Sequence, residues 1–139
     1  DPNGEYYLSM KERVINSGYS EDIELLINMP LNEMGNLYKE HDIFVLPTRH
    51  DPASFTVLEA MAHGLVAITT TLDGANGYIQ EGRNGFVFEP SNNSNLEKLM
   101  TELMSERAKI IEWAEYSLQL VESRHNPIKV TSEFLTACA

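Results

Sequence analysis

The stretch DPASFTVLEAMAHG, Asp51 to Gly64, decides how this chain is read. Two apolar runs bracket it, DIFVLPT (Asp42 to Thr48) and LVAITTT (Leu65 to Thr71). Short apolar runs rich in β-branched residues predict strands buried on both faces. The residues between them predict a helix over 54–62, yet that helix is entered through Asp51-Pro52 and carries Glu59 inside it. Pro52 fixes φ and stiffens the entry. Ser54 stands at the N-cap, which leaves the amides of Phe55, Thr56 and Val57 as first-turn donors without a helical partner. Those donors and the helix dipole suit a phosphate group. Glu59 lies about one turn inside the helix, among Val57, Leu58, Met61 and Ala62. A carboxylate on so apolar a helix calls for polar partners, because burying it bare is costly. The two hydroxyls of a ribose would serve. A plainer reading stands beside this one: Asp-Pro begins many turns, and Glu59 occupies the one solvated face of its helix.

Working outward, the same alternation continues. Residues 5–17 predict a helix with Tyr7, Leu8, Val14 and Ile15 on one face, ended by Gly18. Ile23 to Ile27 (IELLI) predicts a strand buried on both faces, and 30–41 a helix with Leu31, Met34, Leu37 and Tyr38 inward. After the strands at 43–47 and 65–69 come a short helix at 75–80 and a strand at 85–89. Leu96, Leu99, Met100, Leu103 and Met104 form a helical stripe, followed by helices at 110–122 and 127–137. Trp113 is expected to pack the first of these two helices onto the body. Strands alternating with helices predict an α/β fold: a Rossmann-like parallel sheet with helices on both faces, joined by right-handed crossovers. Ligands of such sheets bind outside the carboxyl ends of the strands. Thr48 to Ser54, Thr71 to Ala75, and Asn28 with Met29 are all assigned to that edge.

The 139 residues suit one domain with a real core. Ten Lys and Arg against 21 Asp and Glu give a net charge of -11. That argues against nucleic acid, whose binding needs a basic face, and against adhesion to anionic lipid by charge. An anion would have to be held by local amides. No long apolar segment predicts a membrane span, and the N-terminus is unlike a signal peptide. The single cysteine, Cys138, excludes an internal disulfide and any cysteine-based zinc site. His50 and His63 lack metal-spaced companions and are read as structural or exposed. The sequon Asn92-Asn93-Ser94 carries no weight in this context.

The run FVLPTRHDPASFTVLEAMAHGLVAITT resembles the signature of the retaining GT-B glycosyltransferases of the glycosyl transferases group 1 family. The likeness lies in an acid, seven residues and a Glu, then an Ala-Met-Ala helix, a Gly and a strand ending in Thr. It continues in YKEHDIFVLPTR (Tyr38 to Arg49) and in EGRNGFVFEP (Glu81 to Pro90), and covers roughly Asn3 to Leu120. The resemblance implies that Asp51 contacts the donor sugar and Glu59 the ribose, as the two acids of the site. It also implies that Ser54, Phe55 and Thr56 offer backbone amides to the sugar hydroxyls and the distal phosphate, with the Thr56 hydroxyl free to add a bond, and that Ala53 is a further substrate-binding residue. Asn28 and Met29 fall where the backbone meets the base. Asp73, Gly74 and Ala75 fall on the family's Gly-Gly loop. Asp51 replaces the usual Glu, Ala53 and Ser54 replace Phe-Gly, and Asp73 replaces Gly. Arg49 matches a frequent Arg, with a surface salt bridge as its alternative.

The same resemblance implies the C-terminal, donor-binding half of a two-domain fold, over 1–139, lacking its first strand and helix. The acceptor domain and the Arg and Lys that clamp the diphosphate are then also missing, since Lys11 and Arg13 lie beyond that segment. Each lost charge-assisted bond would cost about 1.5–3 kcal/mol of affinity. The implied activity is retaining transfer from a nucleotide-diphosphate sugar, UDP-linked by expectation. No cofactor and no metal is required. The whole enzyme is expected to be a cytoplasmic hexosyltransferase of polysaccharide or glycoconjugate synthesis, with peripheral membrane association, and the fragment inactive alone. Two rivals remain open. One is a non-catalytic nucleotide-sugar binding module or degenerate domain. The other is a receiver-like interaction domain in which Glu59 has no ligand.

Overall fold

The computed structural model describes residues 4–137. The chain divides into two compact units, Asp1–Met34 and Gly35–Ala139. The first unit holds helix α1 (Glu5–Asn16). Helix α2 (Leu31–Lys39) begins in it and ends in the second. The second unit continues with β1 (Ile43–Leu46), α3 (Phe55–Ala62), β2 (Val66–Thr70), a 3-10 turn (Gly74–Tyr78) and β3 (Gly85–Phe88). Helices α4 (Asn93–Ser105), α5 (Arg107–His125) and α6 (Pro127–Ala137) complete it.

The strands form one parallel sheet in the order β1-β2-β3. Successive side chains of a strand point to opposite faces, and the core divides accordingly. On one face Phe44, Leu46, Ala67 and Val87 meet Val57 and Met61 of α3, Ala75 and Ile79, and Tyr116, Leu120 and Val121 of α5. On the other, Ile43, Val45, Val66, Ile68, Phe86 and Phe88 meet Leu96, Leu99, Met100 and Leu103 of α4, with Ile110 and Trp113 of α5. Helix α5 therefore serves both faces, its first half one and its second half the other. Trp113 packs on the body as expected, edge-on to Phe86 with ring centroids 5.1 Å apart. Full burial of a side chain such as Met61 or Ile68 contributes about 1.5–3 kcal/mol each.

Most sequence-based elements fall within a residue or two of the observed ones. The exceptions have physical reasons. Ile23 to Ile27 is not a strand: none of its residues is in a ladder, and Ile23 and Leu26 are exposed. An apolar run becomes a strand only where a neighbouring strand accepts its backbone bonds. β1 is half-buried throughout, because it is the edge of the sheet and only β2 is buried along its whole length. Leu31 is 84% and Met104 75% exposed, against the inward placement expected for both. Leu31 is the first residue of α2, and Met104 the last but one of α4, where the apolar stripe has turned away from the core. On α1 the half-buried positions are Tyr7, Met10 and Val14, while Leu8 and Ile15 face out. Cys138 lies outside the described residues. Among the described residues no helix is long and apolar enough to cross a membrane.

Candidate functional site

Because β1 and β2 run parallel, the loops that follow them leave the same edge of the sheet. There they are tied together. The Asp51 amide donates to the Leu72 carbonyl at 3.4 Å, and the Gly74 amide to the Asp51 carbonyl at 2.7 Å. Thr70 Oγ1, at the end of β2, donates to the Thr48 carbonyl at 2.8 Å. The approach at Gly74 is so close that a Cβ there would lie 1.9 Å from the Pro52 carbonyl oxygen, so only glycine fits. Asp51 is half-buried, and its Oδ1 accepts the Ala53 amide at 3.0 Å. This is an Asx turn, and it engages one carboxylate oxygen in shaping the loop.

The centre of the junction is Asp73, which the resemblance places on the Gly-Gly loop as a departure from glycine and to which it gives no bonding role. It is 1% exposed. Its Oδ1 accepts from Ser54 Oγ and, at 2.9 Å, from the Ala75 amide, while Oδ2 accepts from Thr69 Oγ1 at 2.5 Å. Burial pushes this carboxyl up. The bonds from the Ser54 and Thr69 hydroxyls and from the Ala75 and Ser54 amides outweigh burial, and the net shift is downward. The unfolded chain then takes up a proton before the folded one as pH falls. The stabilisation is complete above the ordinary aspartate pKa and is lost as pH drops through the lowered folded value. Urea midpoints at about pH 6 and about pH 3 should therefore differ more for the native chain than for Asp73→Asn. Equal differences would remove Asp73 from the acid response. The signal available in the sequence was Asp73-Gly74-Ala75 itself, an Asx cap at the start of a short turn.

Ser54 occupies the N-cap of α3, as expected, but its side chain makes no cap bond. Its hydroxyl is turned to Asp73 instead. Among the described residues the Phe55 and Thr56 amides have no hydrogen-bond acceptor, while Val57 reaches the Ser54 carbonyl at 3.3 Å. Ala53, Ser54, Phe55, Leu58, Gly74, Ala75 and Tyr78 line a small cleft at this point. Four of the expected site residues are thus brought together. Phe55 stands 73% exposed beside the cleft, and Thr56 is exposed one residue on.

Glu59 is exposed, so it lies on the solvated face of its helix, as the plainer of the two readings has it, and not buried among apolar groups. The helix buries Val57, Ala60 and Met61 and leaves the carboxylate free to meet a ligand. Its partner was not foreseen: the buried Tyr38 of α2 donates its hydroxyl to Glu59 Oε2 at 3.4 Å. Burial first, then the charge and the hydrogen bond of Glu59, raise the Tyr38 pKa. The phenol therefore remains a donor at neutral pH. His63 is exposed and packs its ring against Tyr38, with centroids 5.0 Å apart. Arg49 and His50 are exposed, and Arg49 makes no salt bridge among the described residues. Asn28 and Met29 belong to the first unit. There Asn28 adopts a left-handed φ of 52° and Met29 is half-buried. Among the described residues no three His, Cys, Asp or Glu side chains gather to hold a metal ion.

Comparison with known proteins agrees with this architecture. The sequence model of a family described as glycosyl transferases group 1 matches residues 3–120. A sulfoquinovosyl transferase of Arabidopsis thaliana is 33% identical over 97 residues, which cover 61% of this chain and 18% of that protein. The chain spans about a fifth of the length of the curated relatives it matches first. Among solved structures, sucrose-phosphate synthase from Thermosynechococcus elongatus superposes with a TM-score of 0.79 at 14% identity, covering 98% of this chain and 36% of that one. The C-terminal domain of a glycosyl transferase group 1 family protein from Francisella tularensis superposes with a TM-score of 0.77 at 22% identity, covering 86% and 62%. At these identities the superpositions show the fold, the Rossmann-like C-terminal half of a GT-B glycosyltransferase.

Proposed function

The chain belongs to the glycosyl transferases group 1 family, and on that premise we propose that it binds the nucleotide-diphosphate sugar donor of a retaining hexosyltransferase. The observation that carries the reading is the cleft at the start of α3. Ala53, Ser54, Phe55 and Gly74 line it, and the Phe55 and Thr56 amides beside it have no acceptor among the described residues. In a chain of net charge -11, such amides are a local positive end suited to a diphosphate. Asp51 orients the sugar, and the exposed Glu59, held by Tyr38, takes the ribose hydroxyls. During transfer the bond from the anomeric carbon to the diphosphate oxygen breaks, and the amides of Phe55 and Thr56 stabilise the charge that gathers on the leaving group. The donor is UDP-linked in this proposal, and the acceptor is a growing polysaccharide or glycoconjugate. The acceptor is held by a further domain of the same cytoplasmic, peripherally membrane-associated protein, and the present chain alone transfers no sugar.

An NMR titration of the chain with UDP, GDP and ADP tests this reading. One nucleotide should shift resonances of residues 51–59. Glu59→Ala should weaken it about tenfold or more, since bonds to a charged group are worth about 1.5–3 kcal/mol. The reading fails if none of the three binds, or if the variant binds as the native chain does. A second reading is a binding module without catalysis. It is favoured by Asp51, whose Oδ1 is engaged by its own loop. Sugar transfer by the full-length protein, absent in Asp51→Asn, would decide against it.

A further inference from the structure

The donor-site reading leaves one buried group without a role. Asp73 is not itself a lining residue of the cleft, yet its carboxylate bonds two residues that are, Ser54 and Ala75, and it is the most heavily bonded carboxylate among the described residues of the second unit. We propose that Asp73 is a positioning residue that holds the sugar-diphosphate end of the site in its binding shape, while the ribose end at Glu59 is independent of it.

Three observations carry this inference, which rests on the donor-site reading above. The first is where the donors to Asp73 come from. Thr69 belongs to β2, Ser54 is the entry residue of α3, and Ala75 lies in the 3-10 turn. A single carboxylate thus joins the central strand to both segments that line the cleft. The second is backbone register. Asp51 and Asp73 form an isolated parallel bridge, with Gly74 pressed against the Pro52 carbonyl. Whatever fixes residue 73 therefore fixes the loop 51–54 that presents Asp51. The third is the withdrawal of the Ser54 hydroxyl. In the N-cap position that hydroxyl would ordinarily accept from the amide of the second or third helical residue. Here it is bonded to Asp73 and makes no cap bond, and among the described residues the Phe55 and Thr56 amides have no acceptor.

Asn in place of Asp73 keeps the shape but cannot accept at both ends, because one oxygen becomes an NH2 group. Glu59 lies more than a helical turn farther on, and its side-chain partner is Tyr38, which has no bond to Asp73. Disturbing Asp73 should therefore act on only one part of the ligand.

The experiment compares UDP-glucose with UMP, and GDP-mannose with GMP, by NMR titration of the native chain, Asp73→Asn and Ser54→Ala. Ser54→Ala removes one of the bonds to Asp73 and guards against loss of fold in Asp73→Asn; thermal melts check that both are folded. The native chain should bind one sugar nucleotide more tightly than its monophosphate. Both variants should lose about tenfold in affinity for that sugar nucleotide and change less than about twofold toward the monophosphate. A folded variant pair that keeps the full advantage of the sugar nucleotide overturns the inference and leaves the donor-site reading standing. Equal losses for both ligands also overturn it, since they mark general loosening. A native chain that binds neither ligand of either pair overturns the donor-site reading, and this inference with it.

Discussion

Gly85→Ala should destabilise the second unit by about 4 kcal/mol or more. In the pairing of β2 with β3, Gly85 stands opposite Ala67. A Cβ added there would lie 1.8 Å from the Ala67 carbonyl oxygen and 2.9 Å from its carbon. The obstacle is backbone of the fully buried central strand, so no rotamer change relieves it. Either β3 moves away, breaking its ladder with β2 and the bond from the Ala67 amide to the Asn84 carbonyl at 3.2 Å, or β2 shifts within its core. Overpacking a tight site costs about 1–3 kcal/mol, and here the loss of strand pairing adds to it. A total above about 4 kcal/mol would be exceptional for one substitution, and it is a large share of the 5–15 kcal/mol that holds a typical domain. The far-UV spectrum and the urea transition of the variant give the answer. A variant that melts within about 1 kcal/mol of the native chain would mean that β3 is not held as described.

Met61→Ala should cost about 2–5 kcal/mol. Met61 is fully buried at the centre of the core on the α3 side of the sheet, with Val57, Ala67 and Leu120 in the same cluster. Its neighbours are fixed by three different elements, so they collapse only partly into the space left behind. The urea midpoint should fall with little change in slope. Leu in the same position should recover most of the loss, since that exchange nearly conserves volume. If alanine is accepted at a cost below about 1 kcal/mol, the packing of α3 on the sheet is looser than the buried surface implies.

The elements around Asp51 to Gly64 were legible because their signals are local. The period of apolar residues changes from strand to helix at Ser54, and Pro52 marks the boundary. β2 was read correctly as buried on both faces, while β1 carries an equally apolar run and is only half-buried. Its difference lies in its position at the edge, which no property of Ile43 to Leu46 encodes. Ile23 to Ile27 shows the same limit more sharply. Its composition is that of a strand, and what it lacks is a partner. At the site, the family motif located Asp51, Ser54, Phe55, Glu59 and Gly74 in the sequence, and four residues of that neighbourhood share a cleft. The motif could not foresee that Asp73 collects Ser54 and Thr69, or that Tyr38 reaches Glu59 from 21 residues away. Those contacts depend on how separate loops meet in space, and spacing along the chain holds no record of them. For Glu59 the sequence left two placements open, among apolar groups or on a solvated face, for a related reason. Its sequence neighbours are apolar, but its spatial neighbours on that side are solvent and Tyr38.

The sharing of α5 between the two faces of the sheet bears on how the protein comes apart. In many layered folds a helix can peel from one side while the other stays closed. Here Ile110 and Trp113 close one side, and Tyr116, Leu120 and Val121 the other, along one continuous rod. Lifting that rod uncovers both layers at once, so release of α5 from one side is expected to release it from the other. In a sheet of three strands among the described residues, such a clasp favours cooperative opening of the two sides.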